Sequence, residues 1–228
     1  LFAPLFDDKK ALLSENIHAS KIHVTGNTAI DSLLKVKKGV TADESIYYKK
    51  YPYLKNNPFI LITVHRRENF GVKLRDICNS IDILAKKFND HIFLFPVHLN
   101  PNVRQEVLKT FDSKLNKNVI LIDPIKYDEM VFLMLNTKLI LTDSGGIQEE
   151  APCLGKPLIV MREKTERLHG IKAGASVLVG SNKNKIIEKV SKLINDKTEY
   201  KKMSKIKNIY GDGTASEKIV KHLVENFS

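Results

Sequence analysis

Six short runs of uninterrupted apolar residues set the strongest limit on what this chain can become: Phe59–Val64, Ile92–Val97, Val119–Ile122, Leu139–Leu141, Leu158–Met161 and Val177–Val179. A strand that shows one face to water alternates apolar and polar side chains. A strand covered on both faces does not, and reads as a continuous apolar run. Between most of these runs lie amphipathic stretches such as Leu74–Phe88, Val103–Phe111 and Glu129–Leu135. Strand and helix alternating at this spacing imply βαβ units with right-handed crossovers. Residues 59 to 182 are therefore read as a Rossmann-like, doubly wound parallel α/β domain.

The flanks are simpler. Residues 5–18 read as a helix with Leu12, Leu13 and Ile17 on one face, Lys21–Thr25 as a strand closed by Gly26, and Thr28–Lys38 as a helix. Residues 39–58 are polar, carry two prolines and read as a linking stretch. Two closing helices are expected near Lys185–Asn195 and Ala215–Asn226, with Tyr210-Gly211-Asp212-Gly213 as a turn between them.

Composition enters by exclusion. At 228 residues the chain can bury a core without covalent staples. Its two cysteines, Cys78 and Cys153, rule out a disulfide framework or a cysteine zinc cluster. No apolar run approaches the ~20 residues that span a bilayer, so no membrane partner is expected and the cytoplasm is the default compartment. The net charge of +11 invites a nucleic-acid reading. However, 31 lysines against 6 arginines, spread along the whole chain, describe a solvated surface rather than a clustered grip. No nucleic-acid partner is expected. The chain opens Leu1-Phe2-Ala3-Pro4 without an initiator Met, and is read as a piece of a longer protein.

In an open parallel sheet, ligands bind outside the carboxyl ends of the strands. The residues just past each apolar run are therefore the informative ones: His65-Arg66-Arg67-Glu68-Asn69, His98-Leu99-Asn100-Pro101, Asp123-Pro124, Asp143-Ser144-Gly145-Gly146, Arg162 with Thr165-Glu166-Arg167, and Gly180-Ser181. Two glycines after a strand let the backbone approach a ligand. The free N–H groups of the following helix then suit a diphosphate. The segment lacks the lysine of a P-loop, which disfavours nucleotide hydrolysis of that kind. Ser144 either adds a hydroxyl to such a site or simply caps its helix. Glu149 and Glu150 are both candidates for a vicinal diol such as ribose. Arg66 suits bidentate phosphate contact and His65 proton transfer, unless Glu68 neutralises an arginine in a plain salt-bridged loop. His98 is a ligand contact or a loop histidine. Arg167 is a phosphate clamp or the partner of Glu166 or Glu163, and Met130 a base-pocket or a core residue. Asp143, Glu149, Glu150 and Glu68 all fall near the rim.

Five segments, in this order, resemble bacterial non-hydrolysing UDP-N-acetylglucosamine 2-epimerases: Thr63–Asn69, Pro96–Pro101, Thr142–Pro152, Gly155-Lys156-Pro157 and Thr165-Glu166-Arg167. Val24–Asp31 and Tyr210–Gly213 fit the same pattern. The resemblance implies the second half of a two-domain fold of the glycosyltransferase-B type. Residues 1–25 would be the tail of the first domain, 26–58 a linker and connecting helix, 59–205 the UDP-binding domain, and 206–228 a last helix crossing back to the first domain. It further implies that His65, Ser144, Gly145, Gly146, Glu150 and Arg167 contact UDP-sugar, with Glu150 on the ribose. Ile125, through its backbone, and Met130 would border the uracil. Arg66 and His98 would lie near the phosphates or near a second UDP-sugar. His65 would protonate or orient the departing diphosphate. No cofactor and no metal is implied. The partners implied are UDP-N-acetylglucosamine and UDP, with a homodimer for the full-length protein, and the carboxylates that move protons would belong to the first domain. The pattern departs at Leu168-His169, where the family has Pro-Glu, which leaves a related UDP-sugar open as substrate. A glycosyltransferase of the same fold is the nearest rival.

Overall fold

The computed structural model describes residues 1–111 and 117–227. In chain order the elements are β1 (Phe2–Ala3), α1 (Phe6–Ser14), β2 (His23–Val24), α2 (Thr28–Ala42), α3 (Ser45–Lys50), β3 (Phe59–Thr63), α4 (Val72–Lys87), β4 (Ile92–Pro96), α5 (Pro101–Thr110), β5 (Val119–Ile122), α6 (Tyr127–Asn136), β6 (Leu139–Thr142), α7 (Gly145–Cys153), β7 (Leu158–Val160), α8 (Leu168–Ala173), β8 (Ser176–Leu178), α9 (Lys183–Asn195), α10 (Lys197–Ser204) and α11 (Ala215–Phe227). None of the described helices is long and apolar enough to cross a membrane.

The expected sheet is present. Six parallel strands run in the order β5-β4-β3-β6-β7-β8. Alternate residues of the same strand feed two cores, as a doubly wound sheet requires. Ile60 and Ile62 of β3 face a layer built from α4, α5 and α9, while Phe59 and Leu61 face α2, α6 and α7. Successive strands spread from β3 in both directions, so the order reverses between β3 and β6. That is the point where such sheets open a crevice at the strand ends. The register there pairs Thr63 with Thr142, and their buried hydroxyls bond at 2.6 Å.

Residues 39–58 depart from the expected linking stretch. The carboxylate of Asp43 accepts from the backbone and hydroxyl of Ser45 and starts α3. Tyr47 and Tyr48 then pack on Phe132, at ring distances of 4.8 and 5.0 Å, and Tyr51 and Leu54 are buried. A tyrosine-rich segment looks polar but carries enough ring surface to join a core. Two further helices were not expected. Asp196, which ends α9, accepts from Thr198 and Glu199 N–H groups and thereby starts α10. Gly174, at φ 81°, closes α8 after less than two turns. The helix expected over 5–18 is shorter, Phe6–Ser14, and buries none of its residues. The strand expected over 21–25 is only His23–Val24 and pairs with β1 in a separate two-stranded sheet.

The segments Val24–Asp31 and Tyr210–Gly213 prove to be one structural lock. Asn27 N–H donates to Tyr210 carbonyl at 2.9 Å, and Gly211 sits at φ 146°, where an added Cβ would lie a tight 3.2 Å from Asn27 nitrogen. Asp31 caps α11 by accepting from Ala215 and Ser216 N–H groups, and these bonds hold its carboxyl below the usual carboxylate range against the cost of burial.

Candidate functional site

The site forms where the sheet order reverses. Asp143 follows β6 and is fully buried rather than exposed on the rim as its position suggested. Its carboxylate accepts from the N–H groups of His65 and Arg66 at 2.9–3.1 Å and from the Asn69 amide at 2.9 Å. Asn69 also donates to the Met161 carbonyl. One buried anion thus fixes the loop after β3 to the ends of β6 and β7. The His65 ring lies at the cleft wall, with Nδ1 3.4 Å from Asp143 and its plane stacked on His98 at 5.8 Å. Burial pushes the imidazole below its ordinary value, and the charges of His98 and Arg66 push the same way, while Asp143 opposes them. His65 is therefore neutral at pH 7 in the free chain.

Beside this floor opens a cleft of about 220 Å³. His65, His98, Ile125, Met130 and Ser144 line it together, so five of the ten sequence candidates share one cavity. Ile147 and Pro124 complete an apolar wall.

At the start of α7 the Ser144 side chain makes no cap to its own helix. Its backbone N–H is held by Thr142 Oγ1 at 3.0 Å. Two guanidinium groups flank the first helical residue. A Cβ placed on Gly145 would lie 3.1 Å from Arg66 Nη2 and 3.5 Å from Arg167 Cζ, whereas one on Gly146 would meet open space. Arg66 Nε is buried without a hydrogen-bond partner. Arg167 is set by Thr165, whose hydroxyl donates to Gln148 of α7 at 2.6 Å and accepts from Arg167 N–H at 3.1 Å. Glycine at 145 is what allows two cations this close to a helix N-terminus, which already carries positive partial charge. Such an arrangement can hold a di-anion.

Glu150 lies one turn further along α7 and accepts from the Tyr127 hydroxyl at 2.8 Å. Burial raises its carboxyl above the ordinary glutamate value, the Tyr127 hydrogen bond works against that, and the Glu149 charge adds to it. Tyr127 was not among the candidates, although its segment was noted for Met130. Glu149 instead points to a second cleft of about 290 Å³, shared with Arg167, His169 and Tyr210. There it binds Arg167 Nε at 3.0 Å and accepts from the Asn27 amide. His169, the second residue of the Leu168-His169 pair set against the family pattern above, contacts Asp7 of α1 at 3.0 Å. The plain salt-bridge reading of the loop fails in one respect. Glu68 neutralises Arg162, at 2.7 Å, and leaves Arg66 to the helix start. Arg167 does pair with Glu166, and with Glu149 as well. Among the described residues, no group of three or more His, Cys, Asp or Glu side chains is placed to hold a metal ion.

This geometry can be set beside known proteins. The profile of the UDP-N-acetylglucosamine 2-epimerase family matches residues 1–224. The chain belongs to that family. It is 45% identical over 229 residues to the UDP-N-acetylglucosamine 2-epimerase of Escherichia coli O157:H7, covering 99% of this chain and 60% of the relative. The crystal structure of UDP-GlcNAc 2-epimerase from Neisseria meningitidis bound to UDP-GlcNAc superposes with a TM-score of 0.94 at 45% identity, covering 99% of this chain and 61% of that one. The Methanocaldococcus jannaschii enzyme in complex with UDP-GlcNAc and UDP does so at 0.82 and 35% identity, covering 99% and 61%. The chain spans about 60% of the length of the curated relatives it matches.

Proposed function

We propose that this chain is the nucleotide-binding second half of a UDP-N-acetylglucosamine 2-epimerase, with residues 59–205 as the UDP-binding domain. Residues 1–25 and the final segment 206–228 would pack against the remaining half. The observation that carries the reading is the start of α7, left uncapped by Ser144 and flanked at Gly145 by Arg66 and Arg167. The diphosphate sits there, the uracil against Ile125 and Met130 in the neighbouring cleft, and the ribose hydroxyls on Glu150. Relatives solved with UDP-GlcNAc and UDP support this choice of ligand.

The reaction breaks the anomeric C–O bond as the proton on C2 leaves, giving a glycal and UDP. Re-addition of UDP, with a proton returned to the opposite face of C2, gives UDP-N-acetylmannosamine. This half stabilises the negative charge on the departing diphosphate through two guanidiniums and the helix N–H groups. His65 beside that site orients the departing diphosphate, or protonates it after taking a proton from solvent in the field of the bound diphosphate. The groups that remove and return the C2 proton belong to the other half, and this chain alone binds UDP weakly at best and does not turn over.

Calorimetric titration of the chain with UDP, UDP-N-acetylglucosamine and ADP tests the reading. Both uridine ligands bind, ADP does not, and Glu150→Ala and Arg167→Ala each lose the response. Equal binding of ADP, or no uridine response at millimolar ligand, overturns it. Incubation with UDP-N-acetylglucosamine and no acceptor then separates epimerase from glycosyltransferase. The chain extended to its relatives' full length forms UDP-N-acetylmannosamine, and the 228-residue chain does not.

A further inference from the structure

Arg167 is gripped by two carboxylates in unlike surroundings. Glu149, on α7, accepts from Nε at 3.0 Å with one oxygen and from the Asn27 amide at 2.8 Å with the other. Its side chain is only 15% exposed. Glu166 binds Nη1 of the same guanidinium, is 49% exposed, and also accepts from Arg162 Nη1 at 3.0 Å. The remaining nitrogen, Nη2, faces the start of α7, 3.6 Å from where a Gly145 Cβ would stand.

An incoming diphosphate at that helix start competes for Nη1 and Nη2. The two carboxylates do not yield equally. A charge pair is harder to break where burial lowers the local dielectric, and an exposed pair gives way easily. Glu166 also keeps Arg162 as a partner after release, so its charge is not stranded. Glu149 has no such exit, and its second oxygen is already spent on Asn27.

We propose that the two glutamates act on Arg167 in opposite senses. Glu149 is a positioning residue that keeps the guanidinium aimed at the start of α7, and Glu166 is a competitor that the diphosphate displaces. The inference rests on the reading of that helix start as a diphosphate site.

The test uses the sign of the effect. Simple repulsion says that removing any carboxylate beside a diphosphate site tightens binding. UDP titrations at fixed ionic strength compare the unaltered chain with Glu166→Gln, Glu149→Gln and Glu149→Asp, and thermal unfolding without UDP confirms that each variant is folded. Glu166→Gln tightens UDP binding several-fold. Glu149→Gln weakens it on the order of tenfold despite the lost negative charge, the scale expected for one charge-assisted hydrogen bond. Glu149→Asp, which keeps the charge but shortens the reach, weakens it as well, and this variant decides the matter should Glu149→Gln fail to fold. In an Arg167→Ala background, titrated at ligand concentrations above those at which its response is lost, neither Glu149 variant weakens the residual binding, because the effect acts through Arg167. Shifts of the same sign at Glu149 and Glu166, or no change at Glu149, overturn the inference while leaving UDP binding in place. No UDP response from the unaltered chain removes the diphosphate reading, and the inference falls with it.

Discussion

The segment Thr142–Glu150 contains two regions only a few residues apart that do opposite things with polar side chains. The first, Thr142 and Asp143, is completely buried and spends its oxygens on partners inside the protein: Thr63, the N–H groups of His65 and Arg66, and Asn69. The second, from Ser144 to Glu150, leaves its helix start uncapped, gathers two cations at a glycine and holds Glu150 with a hydroxyl at the surface. The first region is a floor and the second is the rim it supports. The difference teaches that position at a strand end does not by itself make a carboxylate a ligand group. The partners decide. Asp143 is spent, whereas Glu150 has acceptor capacity left for a ligand.

The contrast is broken most directly at the floor. Asp143→Ala leaves three donors without their acceptor, at about 1–3 kcal/mol for each that stays buried and unmade. The chain loses about 3 kcal/mol or more of stability, read from urea unfolding, and Asp143→Asn loses less because one acceptor oxygen remains. A variant of unchanged stability that merely fails to bind UDP would move Asp143 from the floor to the rim. Gly145→Ala is the converse. Its backbone is helical and the added methyl meets only the ends of Arg66 and Arg167, so the unfolding midpoint holds or rises slightly. The guanidiniums must withdraw, and UDP affinity in calorimetry falls about tenfold or more, the scale of one charge-assisted hydrogen bond.

How much of this was legible in the sequence divides along the same line. The sheet could be read because its strands are buried on both faces, and burial of that kind writes itself as apolar runs such as Phe59–Thr63. The rim was legible because strand-end polar residues converge by topology, which brought His65, His98 and Ser144 to one cavity. The floor was not. Asp143 and Glu150 are both acidic residues near a glycine pair, and only three-dimensional partners distinguish them. Tyr127 was missed for a related reason. Its ring reads as helix surface, and the Glu150 it serves lies on another element. The packing of residues 39–58 was not legible because their prolines and charged side chains mask the tyrosine rings that join the core, Tyr51 being 3% exposed. The second grip on Arg167, from Glu149, needed the fold of α7 over the Thr165–Arg167 turn.

A subtler test sharpens the role of Glu150. In the proposed site its carboxyl accepts from both ribose hydroxyls only when ionised, since protonation turns one oxygen into a donor, and burial already holds its pKa above the ordinary value. UDP affinity therefore declines on acidification from a higher pH than an ordinary glutamate would impose. The Tyr127 hydroxyl favours the ionised form, so Tyr127→Phe raises the midpoint of that decline further while leaving affinity at pH 8 within a few-fold, because Tyr127 bonds Glu150 and not the ligand in the proposed site. A midpoint that falls or stays fixed would detach Glu150 from the ligand.

The smallest expected signal comes from His65, and it belongs to the rim although the floor holds its backbone. In the free chain burial keeps the imidazole below its ordinary value and so neutral at pH 7. A diphosphate at the start of α7 adds negative charge beside it, which favours the imidazolium and raises its pKa. UDP binding near neutrality is then accompanied by uptake of a fraction of a proton. The uptake is measured as the dependence of calorimetric binding enthalpy on the ionisation enthalpy of the buffer. It is largest between the free and bound pKa values, and it vanishes in His65→Asn. Glu150 contributes with the opposite sign, releasing protons on binding, but only in the more acid range where it begins to protonate, so the two are resolved by pH. Uptake that persists in His65→Asn would place the titrating group elsewhere on the cleft wall, with His98 the first side chain to replace, since its ring stacks on His65 at 5.8 Å.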